Sequence, residues 1–114
     1  MVYSISRARR GASREEGLKM VVSMIQFIIE LPEASTLKDK RQIVRSVRDR
    51  FQKKFKMTAA EVDLQDSISF AQIGGAFVSN SKTFGETVLN KAFAMVEADL
   101  PVRIQDVSIY SEEF

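Results

Sequence analysis

The sequence predicts an α+β sandwich in which a four-stranded antiparallel sheet carries two helices on one face. Three observations support this prediction. The predicted elements follow the order strand, helix, strand, strand, helix, strand. The length of 114 residues suits one domain, and an apolar share of 45% is enough to build one modest core.

A first strand is predicted from Val21 to Leu31, because this run is rich in β-branched and aromatic residues and Pro32 ends it. The opposite face of the strand is also apolar, through Met24 and Ile28, which a sheet covered on one side does not explain. The face predicted to be buried carries Ile25, Phe27, Ile29 and Leu31.

A first helix is predicted from Thr36 to about Phe55. Thr36 and Asp39 have the spacing of a capping box, with Asp in place of the usual Glu. Apolar residues recur at helical spacing and predict the buried stripe. They are Leu37, Val44, Val47, Phe51 and Phe55, flanked by Ile43.

Two further strands follow, from Thr58 to Leu64 and from Ile68 to Ser79, joined by a tight turn. The Gly74-Gly75 pair indicates a bulge or a close backbone approach in the third strand. Glu61 and Asp63 are predicted to share a strand face, with Asp66 in the turn. Such carboxylates can hold a hard cation, but we favour the alternative that they protect a strand edge and cap the turn.

The second helix is predicted to begin at Ser81 or Thr83. Pro101 separates this helix from a last strand, Val102 to Tyr110, and an acidic tail is predicted to follow. The predicted core face of the helix carries Phe84, Val88, Ala92, Met95 and Val96.

These elements assemble most economically as a ferredoxin-like βαββαβ sandwich, because both crossovers are long enough to be right-handed. The first and third strands are then central. A second copy of the chain would explain the doubly apolar first strand. We therefore expect a homodimer with Met24, Ile28 and Phe70 in its interface.

Residues 1–19 show neither helical nor strand periodicity, so the domain is predicted to span residues 20–114. The first 19 residues are interpreted as a disordered arm, as a basic arm that contacts nucleic acid, or as a mis-assigned start. Glu15-Glu16-Gly17 must be encoded by a purine-rich run that resembles a bacterial ribosome-binding site before Met20. In a bacterial source this favours translation from Met20, and mass spectrometry of the native N-terminus distinguishes the alternatives.

The composition argues against most catalytic chemistry. The chain has no cysteine and no histidine, so it lacks thiolate metal ligands and the commonest general base near neutral pH. We expect no enzymatic activity, no cofactor and no metal. No apolar run is long enough to span a bilayer, and the lack of cysteine suits a reducing cytoplasm.

Charge is strongly segregated along the chain. Nine basic and two acidic residues lie between Lys38 and Lys56, although the net charge of the whole chain is only +2. A basic helix face of this kind can follow a phosphate backbone, or it can be a solvated face paired with acidic neighbours. The candidate nucleic-acid-binding residues are Lys38, Arg41, Arg45 and Arg48, with Lys53 and Lys56 nearby.

Lys40 falls inside the apolar stripe of the first helix. We expect its ammonium group to reach over the edge of the core to solvent. The alternative is a ligand-binding amine with a shifted pKa.

The chain resembles the YlxP-like family of bacterial domains from Met20 to Ile109. The resemblance implies the ferredoxin-like fold and a place in the bacterial translation gene neighbourhood, beside initiation and ribosome-maturation factors. The matching residues are Leu31-Pro32, Ser35 through Arg41, Arg50, Lys54-Phe55, Ala60-Glu61-Val62-Asp63, Gln65-Asp66, Ala71, Gly74 and Val78-Ser79-Asn80.

One segment departs from that family. Family members typically read Asp-Leu-Trp-Gln-Arg-Ala where this chain reads Asp66-Ser67-Ile68-Ser69-Phe70-Ala71. Any role of the family's Trp and Arg therefore cannot be transferred. We expect a non-enzymatic, cytoplasmic accessory domain that contacts RNA or the ribosome through its first helix. The alternative is a dimeric regulatory module that binds a small ligand at the subunit interface.

Overall fold

The computed structural model describes residues 19–114, and the alternatives for the N-terminal arm or late start fall on residues that lie outside this range, apart from Lys19. The predicted order of elements is confirmed. They are β1 (Val21–Glu30), α1 (Leu37–Phe55), β2 (Thr58–Asp63), β3 (Phe70–Ser79), α2 (Lys82–Asp99) and β4 (Arg103–Glu113).

The four strands form one sheet in the order β2-β3-β1-β4, and each neighbouring pair is antiparallel. This is the ferredoxin-like fold that the sequence predicts, with β1 and β3 in the centre. β2 and β4 are the two edge strands. Their different surroundings determine what each edge of the sheet can contact.

The core lies between one face of the sheet and the two helices. Phe27 of β1 is 1% exposed and stands at its centre. Its ring meets Phe51 of α1 and Phe93 of α2 edge-to-face, each with a centroid distance of 6.2 Å. A single aromatic side chain therefore joins the sheet to both helices.

The capping box at the start of α1 is confirmed. The Asp39 amide donates to Thr36 Oγ1 over 3.1 Å, and the Thr36 amide donates back to Asp39 Oδ2 over 3.2 Å. The Ser35 amide also donates to Asp39 Oδ2, and this bond is the main reason that the pKa of Asp39 is lowered from its usual value. The helix ends at Lys56, which takes the left-handed conformation with φ 56°.

The predicted core face of α2 is partly wrong. The helix begins after Ser81, whose hydroxyl accepts from the Phe84 amide, and it buries Gly85, Leu89, Ala92 and Val96. Phe84 is 56% exposed. Gly85 explains the difference, because a Cβ at this position would collide with the Ser23 hydroxyl of β1. The glycine lets the helix start close to the sheet, which rotates Phe84 outward.

Two predictions for the strands are also corrected. β4 continues to Glu113, so the predicted acidic tail is part of the strand, and Glu113 pairs with Val21. Gly74-Gly75 is not a bulge, because both residues keep regular register with β1 and β2. The close-approach alternative applies instead, since a Cβ at Gly75 would lie 3.1 Å from the Thr58 carbonyl oxygen.

Candidate nucleic-acid interface

The six candidate basic residues are all exposed along α1 and at its C-cap: Lys38, Arg41, Arg45, Arg48, Lys53 and Lys56. Within residues 19–114, none of the six forms an ion pair. Two other cations of α1 do have acidic partners. Arg50 lies 3.2 Å from Asp99 of α2, and Lys40 is paired inside the protein. The six therefore keep their charge available to an outside partner.

Three of the arginines line a groove between α1 and the edge strand β2. Its volume is about 460 Å³, and Arg41, Arg45 and Arg48 form one wall. An adjoining depression of about 470 Å³ shares Arg48 and extends to Lys56. The two together are called the α1–β2 groove here. The residues of β2 that line it are Thr58, Ala59, Ala60 and Glu61.

Lys53 and Lys38 lie apart from this groove. Lys53 lines a separate depression with Arg50 and Lys54, on another side of α1. Lys38 is not among the residues that line the groove. An α-helix turns about 100° per residue, so cations that span five turns cannot all face one strand. The predicted basic face is therefore divided in the structure.

The sequence predictions do not include the contribution of β2 to this surface. β2 pairs with β3 on one side, and no strand within residues 19–114 pairs with its other side. A usable signal was the short connection from Phe55 to Thr58, which leaves β2 no room to run far from α1. Basic side chains and open strand edge are thus adjacent.

Both predictions for Lys40 are wrong. The residue is 1% exposed, so its ammonium group neither reaches solvent nor awaits a ligand. It donates to the carbonyl oxygens of Leu64 and Ser67, each over 2.6 Å, and forms an ion pair with Glu61 Oε2 at 2.7 Å. The capping box places Lys40 one turn into α1, directly above the turn between β2 and β3. Lys40 therefore ties the helix to this turn.

The three carboxylates considered as a cation site do not assemble. A bulge between Glu61 and Asp63 places them on opposite faces of β2, so the prediction that they share a face is wrong. Asp63 Oδ1 accepts from the Leu64 amide over 2.7 Å, as a turn cap does. The described part of the chain contains no group of three or more side chains that could hold a metal ion. Over the same residues, no helix has the length and apolar character needed to cross a bilayer.

The residues predicted for a dimer interface lie on the sheet face turned away from the helices. Met24, Ile28 and Phe70 are each half-buried there, in register positions that alternate with the core residues. A shallow cavity of about 540 Å³ opens on this face, lined by Met24, Gly74 and Tyr110 among others. Nothing within residues 19–114 covers this outer face of the sheet.

Comparison with known proteins places this architecture in a family. The family model described as "Protein of unknown function (DUF503)" matches residues 22–109, from β1 into β4. The chain belongs to this family. It is similar to the uncharacterized protein YlxP of Bacillus subtilis (strain 168), with 30% identity over 66 residues, which are 58% of this chain and 72% of that protein. The DUF503 match includes all of α1 and β2, and therefore the whole α1–β2 groove.

Proposed function

We propose that this DUF503 protein is a non-enzymatic accessory domain that binds RNA or a ribosomal particle through α1. The observation that carries the proposal is the set of six exposed cations on and beside this helix, none of them ion-paired within residues 19–114. The bacterial translation gene neighbourhood that the resemblance to the YlxP-like family implies is the context we propose for the partner.

The spacing of the arginines supports a phosphate backbone as the ligand. Arg41, Arg45 and Arg48 are four and three residues apart, so the helical rise separates them by about 6 and about 4.5 Å along the axis. Each guanidinium can contact a phosphate through two parallel hydrogen bonds. Contacts of this kind release counterions from the nucleic acid, so the affinity should fall as salt rises.

The chemistry of the interior supports a non-enzymatic role. Lys40 and Glu61 are the two charged groups whose burial would otherwise suggest an activated acid or base. Lys40 instead donates to three backbone carbonyl oxygens in the turn between β2 and β3 and forms an ion pair with Glu61. Without histidine or cysteine, the chain offers no other common activated nucleophile.

Charge reversal at the three arginines tests the proposal. The variant Arg41→Glu/Arg45→Glu/Arg48→Glu should lose cosedimentation with ribosomal particles and binding to structured RNA. Wild-type binding should weaken steadily with salt. An affinity that does not change with salt concentration would exclude binding through the phosphates. A pull-down from lysate, with and without nuclease, then shows whether RNA itself holds the partner.

The cavity on the outer sheet face favours a second candidate function, a dimeric regulatory module with a small ligand at the subunit interface. Its volume of about 540 Å³ falls within the usual range for ligand sites, and Met24 and Tyr110 give it an apolar lining. A second copy packed on this face would enclose it. Ile28→Glu and Phe70→Glu should then yield monomers in sedimentation velocity, and a metabolite should raise the melting temperature when RNA does not. A wild-type monomer at micromolar concentration contradicts this candidate.

A further inference from the structure

The α1–β2 groove has two chemically different walls. Arg41, Arg45 and Arg48 supply positive charge on one side. The backbone of β2 supplies the other, and a strand directs every second pair of N–H and C=O groups away from its neighbour. No strand within the described residues takes up that edge. A ligand in the groove can therefore meet cations and hydrogen-bonding groups at the same time.

Glu61 is the acidic residue beside the three arginines, and its charge is neutralised from within. Its Oε2 atom is buried, lies 2.7 Å from Lys40 Nζ and has no other polar partner within residues 19–114. The ion pair draws this carboxylate toward the protein interior. The adjoining part of the groove contains Asp49 together with Arg48 and Lys56, so it also remains net positive.

The size of the groove favours a single RNA strand over a duplex as its ligand. Its two parts, of about 460 and about 470 Å³, are each comparable to a small-ligand pocket. Unpaired nucleotides can enter such a space and expose their base edges. A duplex stacks its bases inside and would touch only the arginine side chains, out of reach of β2.

We propose that the α1–β2 groove binds a short unpaired RNA segment, with its phosphates on Arg41, Arg45 and Arg48 and its base edges on the backbone of β2. This inference rests on the proposed function and adds that the bound strand is single. An acidic peptide could also extend the sheet at β2. It would, however, turn alternate carboxylates to opposite sheet faces, whereas every RNA phosphate carries a charge.

The test compares two RNA probes on the full chain by fluorescence anisotropy. One is an oligouridylate of about twelve nucleotides, and the other is a blunt duplex of the same length, both at about 0.1 M salt, where charges are screened beyond ~10 Å. The duplex has twice the phosphates, so charge alone favours it. We expect the single strand to bind at least about tenfold more tightly, the effect of one or two net hydrogen bonds.

Each outcome of this comparison is decisive. A duplex that binds equally well or better overturns the single-strand inference and leaves RNA binding intact. Failure of both RNAs to bind overturns the inference, and it refutes the proposed function as well if the wild-type protein does not cosediment with ribosomal particles. An oligoglutamate peptide that binds more tightly than the single strand also overturns the inference, in favour of strand addition.

A groove-filling variant tests the location without changing charge. Ala59→Ile adds volume at a half-buried position that lines both parts of the groove and lies on the sheet face turned toward the helices, and Ala59→Val serves as a smaller second variant should the first fail to fold. Single-strand affinity should fall severalfold, while duplex affinity stays as in the wild type. Val78→Ile, on the exposed outer face of β3, is the matched control. Wild-type single-strand affinity in both folded groove variants would overturn the assignment.

The salt dependence of the RNA affinity measures how many phosphates the protein contacts. Three contacts to a single strand predict a slope of log affinity against log salt of about −2, at ~0.7 for each phosphate. Arg45→Gln should make that slope shallower by about 0.7. An unchanged slope in this variant would remove Arg45 from the contact and contradict the proposed geometry.

Discussion

The two helices differ in surface far more than in structure. They have 19 and 18 residues, begin at hydroxyl caps and pack on the same sheet face. Yet α1 carries eight basic and two acidic residues, whereas α2 carries two basic and three acidic ones. α1 flanks the open edge strand β2, and α2 lies against β1, β3 and β4.

Comparison with α2 identifies the part of α1 that the fold requires. Each helix packs into the core through a narrow stripe of apolar residues. α2 shows that such a stripe is enough to hold a helix on the sheet without a cationic surface. Like charges along one helix repel each other and do not stabilise it. The fold therefore does not account for the exposed arginines of α1.

The largest expected effects should be equal for the two helices, because they share one core. Phe51→Ala in α1 should cost about 3–5 kcal/mol of unfolding free energy, and Leu89→Ala in α2 about 2–5 kcal/mol. Both side chains are 0% exposed. Chemical denaturation measures the two losses. A loss below about 1 kcal/mol in either variant would mean that this helix is not part of the common core.

The next contrast concerns lysines. Lys40→Met leaves the Glu61 carboxylate buried without its cation, so the free energy of unfolding should fall by about 3 kcal/mol. Lys91→Met, at an exposed position of α2, should change it by less than about 0.5 kcal/mol. If urea titrations gave equally small losses of unfolding free energy for both variants, Lys40 would not hold α1 to the turn between β2 and β3.

Charge reversal on matched pairs separates function from fold. Arg45→Glu/Arg48→Glu in α1 and Lys82→Glu/Lys91→Glu in α2 change the net charge equally. The α1 pair should lower RNA affinity on the order of 100-fold, since two phosphate contacts become repulsive, and the α2 pair only a few-fold through the general field. Filter binding at fixed salt measures both. Equal losses would assign the affinity to net charge alone.

The caps should show a smaller difference. Thr36→Ala and Ser81→Ala each remove a hydroxyl that accepts from a backbone amide, which should cost about 1 kcal/mol. Thermal melting monitored by circular dichroism compares them. An unchanged melting temperature in either variant would show that the N-terminus of that helix can fray without loss of stability.

The smallest predicted effect is a pH dependence confined to α1. The Ser35 amide is the main cause that lowers the pKa of Asp39 below its usual 3.8. A lowered pKa stabilises the fold above the unfolded value, and this stabilisation is lost as pH falls through the folded value. Stability of the wild type should therefore drop more than that of Asp39→Asn below about pH 4. The first turn of α2 contains no acid and should add no such dependence.

The sequence predicts the fold well because its patterns are local. Alternation in β1 and the capping box of α1 depend on residues a few positions apart, and both are confirmed. The errors arise where distant residues meet. The buried face of α2 depends on how closely Gly85 approaches Ser23, and this distance has no signature along the chain.

The candidate site was predictable in part for the same reason. The basic residues are visible in the sequence, but the division between Arg45 in the groove and Lys53 outside it depends on where β2 lies. The sequence predicts an edge position for Lys40 because the oxygen atoms that bind its ammonium group belong to residues more than twenty positions away. Only the folded chain brings these groups together.

The bonds of Lys40 have a consequence for the motions of the chain. They join the first turn of α1 to backbone that lies 24 and 27 residues further along. The turn between β2 and β3 cannot open while these bonds hold, so it should exchange its amide hydrogens at the pace of the helix and not at that of a surface loop. A molecule seated on α1 would then slow exchange in a turn that it never touches.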